Sequence, residues 1–230
     1  MPIPASASRD LPRLHALGDA ALVCTLAGPA TLARQRCIWA LREEALRWPA
    51  VSEALPGMNN LTLLFDPALI DATELEIQVL AAWPQLAAAG REDLDAPGRT
   101  IEIPVAYGGE HGPDLADVAA HPGLAPAEVA RRHAAGDYVV YLLGFLPGFA
   151  FLGGLPPELA TPRRAEPRLA VPARSVGIGG AQTGIYPLAS PGGWQLIGRT
   201  PIELFDPQAA APTLLRPGDR VRFVVERIES

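Results

Sequence analysis

The 230-residue sequence contains no lysine, and all 19 of its basic side chains are arginine. That absence excludes Schiff-base chemistry, a biotinylated lysine and the lysine of a phosphate-binding loop. Cysteine is almost as scarce: Cys24 and Cys37 are the only two, with no CxxC pair and no nearby histidine partner. They read as two buried thiols in a reducing compartment rather than a disulfide framework or a metal site. The four histidines, His15, His111, His121 and His133, lack metal-ligand spacing, and neither HExxH nor a G-x-S-x-G elbow is present. No apolar run reads as a membrane span. Residues 138–157 are uncharged, but Pro147, Pro156, Pro157 and four glycines interrupt them. The N-terminus has no long apolar stretch after its charges, so no signal peptide is expected. A formal net charge of −6 argues against a general nucleic-acid surface. These features together predict a soluble cytoplasmic protein with no nucleic-acid or membrane partner.

What is present divides the chain in two. Seventeen of the 22 glycines lie after residue 100. Before that point, strands and helices alternate. The pattern predicts strands at 20–26, 51–55, 61–65 and 100–105, with helices at 30–48 and 71–89, the second stopped by Gly90. The order β-α-β-β-α-β suggests a small α+β sandwich resembling a split βαβ unit. Residues 91–99 form a polar, turn-rich candidate linker. After two short helices, at 114–121 and 126–135, strands are predicted at 138–143, 168–171, 175–178, 184–186, 194–199 and 220–225. Short strands punctuated by Gly and Pro point to a closed or nearly closed β-barrel. The expected organisation is an N-terminal α+β domain over residues 1–95 and a mainly β barrel domain over 96–230.

Two segments carry the chemistry. In YLLGFLPGFAFLGG (141–154), Gly144 and Gly148 permit conformations or approaches that a Cβ would block, and Pro147 fixes the backbone between two phenylalanines. The aromatics either fill the barrel or form an apolar wall for a small ligand. In SVGIGGAQTGIY (175–186) and SPGGWQLIGRT (190–200), glycines alternate with Gln182, Thr183, Tyr186, Trp194, Gln195, Arg199 and Thr200. Such side chains hydrogen-bond an amide or clamp a carboxylate, and Arg199 offers a bidentate fork. The same glycines could present N–H groups to an anion or simply form tight hairpins. His133 closes a helix just before the apolar segment. It is either a functional group or a cation that suits the helix C-terminus.

These segments, with IEIPVAYGGE (101–110), resemble the family of the 5-oxoprolinase B subunit, also labelled allophanate hydrolase subunit 1 or Kip-type histidine kinase inhibitor. GDAALV (18–23), PGMNNLTLLFDP (56–67), YGGEHGPDL (107–115), YLLGFLPGFAFLGGL (141–155), SVGIGGAQTGIYPL (175–188) and SPGGWQLIGRTP (190–201) carry the resemblance over nearly the whole chain. The sequence departs at Ala150 and Phe151, where the family often has Pro and Tyr. The resemblance implies an α+β domain followed by a cyclophilin-like barrel. It also implies membership of a heteromeric enzyme that opens 5-oxo-L-proline to L-glutamate. Partners resembling the C and A subunits of 5-oxoprolinase would act with it. ATP would be used by the complex and bound by the partner or at the interface. An inhibitor of sensor histidine kinase autophosphorylation, or a subunit for another lactam or ureide, is the alternative. Amidases of the true allophanate hydrolase type use Ser–Ser–Lys, and this chain has no lysine to supply. The candidate catalytic residues are His133, Gln182 and Arg199. The candidate substrate-binding residues are Phe145, Pro147, Gly148, Phe149, Tyr186, Trp194 and Thr200, and no metal site is evident.

Overall fold

The computed structural model describes residues 11–92 and 98–229. It divides into two compact units, Met1–Pro97 and Gly98–Ser230. The first unit contains β1 (Arg13–Ala16), β2 (Ala21–Thr25), α1 (Leu32–Ala45), β3 (Val51–Pro56), β4 (Asn60–Phe65) and α2 (Ala72–Glu92), with sheet order β1-β2-β4-β3. Strand β4 is antiparallel to both β2 and β3, so those two run the same way with α1 crossing between them. This is the expected split βαβ unit. The edge beside β2 is held by β1, which sequence patterning missed, and not by the strand at 100–105.

Period-2 alternation on β4 sends Leu61, Leu63 and Phe65 inward against Ile38, Leu41, Leu75 and Val79 of the two helices. The hydroxyl of Thr31 caps α1 by accepting from the Arg34 N–H at 3.3 Å. Asp71 and Glu74 form a reciprocal capping box at the start of α2, at 2.8 and 3.3 Å. Helix α2 continues past Gly90 to Glu92, although Gly90 was expected to stop it. The expected linker therefore begins inside α2, and residues 93–97 lie outside the described residues. Fully buried Gln35 is satisfied from the β3–β4 turn. Its amide donates to Gly57 O at 3.1 Å and its oxygen accepts from Asn59 N–H at 3.2 Å.

The second unit contains β5 (Thr100–Gly108), α3 (Leu115–Ala120), α4 (Pro126–Ala134), β6 (Tyr138–Leu143), β7 (Ala150–Gly153), β8 (Arg168–Val171), β9 (Ser175–Gly179), β10 (Gln182–Ile185), β11 (Ser190–Gly192), β12 (Gln195–Arg199) and β13 (Arg220–Glu229). Seven of these strands close a barrel in the order β10-β7-β6-β13-β5-β12-β9, and β9 pairs back to β10. Strands β5 and β13 run parallel from Thr100↔Arg220 to Gly108↔Glu229, so the first and last strands of the unit are neighbours. Arg99 locks this pair at its start, donating from Nε to Asp219 at 3.0 Å and from Nη2 to the same carboxylate at 2.5 Å.

Two expectations are corrected here. The 100–105 strand opens the barrel and does not complete the α+β sheet. The 168–171 strand stands outside the barrel in a two-stranded ribbon with β11. Inward residues Ile103, Val105, Val140, Leu152, Val176, Ile178, Ile197 and Phe223 fill the barrel. No helix among the described residues is long and apolar enough to cross a membrane.

Candidate functional site

His133 lies inside the barrel. The last turn of α4 places it there, with no exposed surface. Its Nδ1 lies 2.8 Å from the Tyr107 hydroxyl and its Nε2 lies 2.9 Å from Thr183 Oγ1. The Thr183 hydroxyl spends its one proton on Gly177 O at 2.9 Å, so it must accept from the imidazole. The network therefore requires the Nε2–H tautomer, with Tyr107 donating to Nδ1. Tyr138 donates to the His133 carbonyl at 2.8 Å, and Phe223 stacks on the ring at 4.6 Å. Burial pushes the His133 pKa down to about 3 and raises those of Tyr107 and Tyr138. A neutral imidazole with both nitrogens hydrogen-bonded and no exposed surface braces the barrel interior.

The glycine-rich strands build a second feature on the outer wall. Val176, Ile178, Thr183 and Ile185 point inward, so Gly177, Gly179 and Gly184 face out. A Cβ on Gly179 would lie 2.5 Å from the Trp194 indole nitrogen. One on Gly184 would lie 3.1 Å from the Trp194 ring and 3.2 Å from Phe149. The glycines thus form a flat bed for Trp194. Their main-chain groups are used by the β9–β10 and β9–β12 ladders, so the bed serves packing and not an anion.

Phe149 occupies the centre of this aromatic layer. Its ring centroid is 4.8 Å from Phe151, 5.2 Å from Tyr186, and 5.5 Å from both Phe145 and Trp194. Edge-on and tilted contacts of this kind hold the rings in place. Leu146-Pro147-Gly148-Phe149 is a turn closed by Phe149 N–H to Leu146 O at 3.0 Å. Pro sits at its second position and Gly148, with φ +79°, at its third, as a type II turn requires. The preceding Phe145 is held at φ +66° and is 62% exposed.

Between the rings lies a cavity of about 420 Å³. Phe145, Phe149, Phe151, Tyr186 and Trp194 line it together with Arg163, Pro167 and the 191–193 segment. The Arg163 guanidinium lies 5.9 Å from the Trp194 ring centroid. Burial raises the Tyr186 pKa, opposed by the Trp194 N–H and by Arg163 and Arg168.

One carboxylate organises the side of this cavity. Asp114 is 2% exposed. It receives Arg168 in bidentate fashion at 2.7 and 2.8 Å, Arg164 at 3.2 Å and the Leu196 N–H at 2.6 Å. Arg164 and Arg168 bracket the chain that carries Pro167 and follows Arg163, so Asp114 fixes that wall from below. The geometry is the strong form of a charge-assisted pair.

Arg199 and Thr200 lie elsewhere. They line a separate cleft of about 260 Å³ with Ala106, His111, Arg174, Pro201, Glu226 and Arg227. Gln182 sits on the outer face of β10 opposite Gly179 and lines neither cavity. Phe145, Phe149, Tyr186 and Trp194 do come together, with Pro147 and Gly148 shaping the turn beneath. His133, Gln182 and Arg199 do not meet, so the single constellation expected from sequence is split among three places. The main chain links the aromatic cavity to the Arg199 cleft, since Arg174 N–H donates to Tyr186 O at 2.5 Å. Among the described residues, no group of three or more His, Cys, Asp or Glu side chains is placed to hold a metal ion.

The family model for the carboxyltransferase domain, subdomain C and D, matches residues 12–215. The B subunit of 5-oxoprolinase from Escherichia coli O157:H7 is 53% identical over 218 residues, covering 94% of this chain and 96% of that protein. Its counterpart from Haemophilus influenzae is 49% identical over 213 residues, covering 93% and 97%. The chain belongs to the 5-oxoprolinase B-subunit family. The crystal structure of TTHA0988 superposes with a TM-score of 0.74 at 39% identity. That match covers 90% of this chain but 40% of the other, so this family member spans about two fifths of the longer protein.

In this member of the B-subunit family, sequence reasoning missed Asp114, Arg163, Arg164 and Arg168. The RR pair at 163–164 and Arg168 were visible as a basic cluster between prolines. Nothing in the sequence tied them to an aspartate some 50 residues earlier.

Proposed function

We propose that this chain is one component of a heteromeric ATP-dependent 5-oxoprolinase. It would act with partners resembling the C and A subunits of that enzyme to open 5-oxo-L-proline to L-glutamate. The observation that carries the reading is the aromatic cavity with one arginine at its side, in a chain of this kinship. 5-Oxoproline is a compact lactam with one carboxylate. The exposed ring of Phe145 and the half-buried ring of Phe151, backed by Phe149 and Trp194, suit its aliphatic ring edge, and Arg163 suits its carboxylate. The rings are fixed by their glycine bed and by one another, so little order is lost on binding. An unactivated lactam resists hydrolysis, and ATP supplies the driving force when the complex turns over. This chain's share is to bind and orient the ring and to keep water from it. Arg199, in a different cleft, is not part of this pocket.

The test is reconstitution. The chain is co-expressed with its C-type partner, the A-type partner is added, and ATP-dependent glutamate release from 5-oxoproline is assayed. Activity that vanishes when this chain is omitted supports the reading. A stable complex inactive on 5-oxoproline but active on another lactam or ureide would overturn the substrate assignment. Arg163→Gln is expected to raise KM for 5-oxoproline more than it lowers kcat.

A further inference from the structure

We propose that the cleft between Arg174, Arg199 and Arg227 is a binding site for a phosphoryl group, separate from the aromatic cavity. Three guanidiniums line it, with His111, Thr200 and a single carboxylate, Glu226. Two of the arginines are aimed but uncommitted. Arg199 is half-buried and fixed by one bond, from Nε to Ala173 O at 3.0 Å. Arg174 is half-buried and fixed by one bond, from Nη1 to Pro201 O at 3.2 Å. Neither makes an ion pair among the described residues, whereas Arg227 is engaged by Glu229 at 2.6 Å and Glu226 at 3.8 Å. Arg227 also lies 2.7 Å from His111 Nε2, which accepts from the guanidinium there. The lining therefore keeps an excess of positive charge.

Two further features mark the cleft as a built site. Arg174 is held at φ +70°, a left-handed conformation unusual for a residue with a long side chain. Strain of this kind persists where the surroundings dictate it and clusters at ligand sites. Buried Thr200 accepts from the Ile202 N–H at 3.2 Å, and its hydroxyl proton has no acceptor among the described residues. Donors converging from several elements suit a tetrahedral dianion. The inference does not rest on the lactam reading, because it uses a different cavity.

The test is calorimetric titration of the full chain with inorganic phosphate, pyrophosphate and ATP, without metal. Saturable binding is expected, weakened by at least about tenfold in Arg199→Gln and in Arg174→Gly, and unchanged in Arg47→Gln, just after α1. Arg174→Gly places glycine at a positive φ. Its melting temperature is therefore expected to match or exceed that of the wild type, which separates lost binding from lost folding. ATP that competes with phosphate through the same two arginines identifies a nucleotide as the source. Phosphate held in the presence of excess ATP identifies a small phosphoanion. Failure of all three probes to saturate, or equal weakening by Arg47→Gln, overturns the proposal. Glutamate release does not enter the readout, so the two assignments fail independently.

Discussion

Acidification will separate the wild-type protein from a His133→Gln variant in a way that surface histidines cannot. In the folded state the imidazole is sealed between Tyr107 and Thr183, and its pKa falls to about 3. In the unfolded chain it returns to the ordinary value of about 6.5. Between these values the unfolded state binds a proton that the folded state refuses. Stability is therefore fully present above about pH 6.5 and declines as pH falls toward 3. The slope is roughly 1.4 kcal/mol per pH unit, so this one residue removes roughly 2.5 kcal/mol between pH 7 and pH 4.5. That is a large fraction of a typical folding free energy.

The glutamine amide offers a donor for Thr183 and an acceptor for Tyr107, but it lacks the rigid ring that spaces the two and packs against Phe223. The variant is therefore expected to be less stable at pH 7 by roughly 1–3 kcal/mol. Urea denaturation at several pH values measures both curves, and shared carboxylates and the other histidines cancel in the difference. The gap between the two proteins is expected to close as pH falls. Parallel curves would refute the buried-imidazole argument. So would a nitrogen NMR signal showing the ring titrating near 6.5 in the folded protein, the ordinary value, or a proton on Nδ1 instead of Nε2.

Asp114→Asn leaves Arg168 and Arg164 without their buried counter-charge, and chemical denaturation is expected to show a loss of about 3 kcal/mol. In the reconstituted enzyme the same change is expected to raise KM, because the Arg163 wall loses its anchor. Phe145→Gly relieves a positive φ, so thermal stability is expected to hold or rise by about 1 kcal/mol. Ligand binding in the aromatic cavity weakens at the same time, which calorimetry with 5-oxoproline reads. Burial pushes the Cys24 thiol up to about 12, and Cys37 is buried against main-chain carbonyls. A disulfide reagent at about pH 8, near the pKa of a free thiol, is expected to titrate neither cysteine in the native protein and both in denaturant.

Local regularities were legible without the fold. Period-2 or continuous apolar runs such as 61–65 and 138–143, the start of α2 near Asp71 and the Pro-Gly turn at 147–148 are set by neighbours in the chain, and their structures follow the pattern. The split βαβ arrangement was equally legible, because hydrophobic periodicity and crossover handedness leave few alternatives. The aromatic segment declared itself by composition, and its rings do share one cavity.

What composition could not supply was partnership across long separations. Strand 100–105 reads equally well as the end of one unit or the start of the next. It joins the barrel because β13, some 120 residues later, offers a parallel edge. Trp194 and the glycines of β9 are both visible in the sequence, but only strand pairing shows that the glycines are bare to seat the indole. His133, Gln182 and Arg199 have suitable side chains, yet alternation and barrel closure send one inward, one to a strand's outer face and one to another cleft. Asp114 precedes α3 and makes no side-chain capping bond; its carboxylate instead gathers two arginines from 50 and 54 residues away. Side-chain chemistry belongs to the residue, but which groups meet is decided by closure of the barrel, and closure is a property of the whole chain.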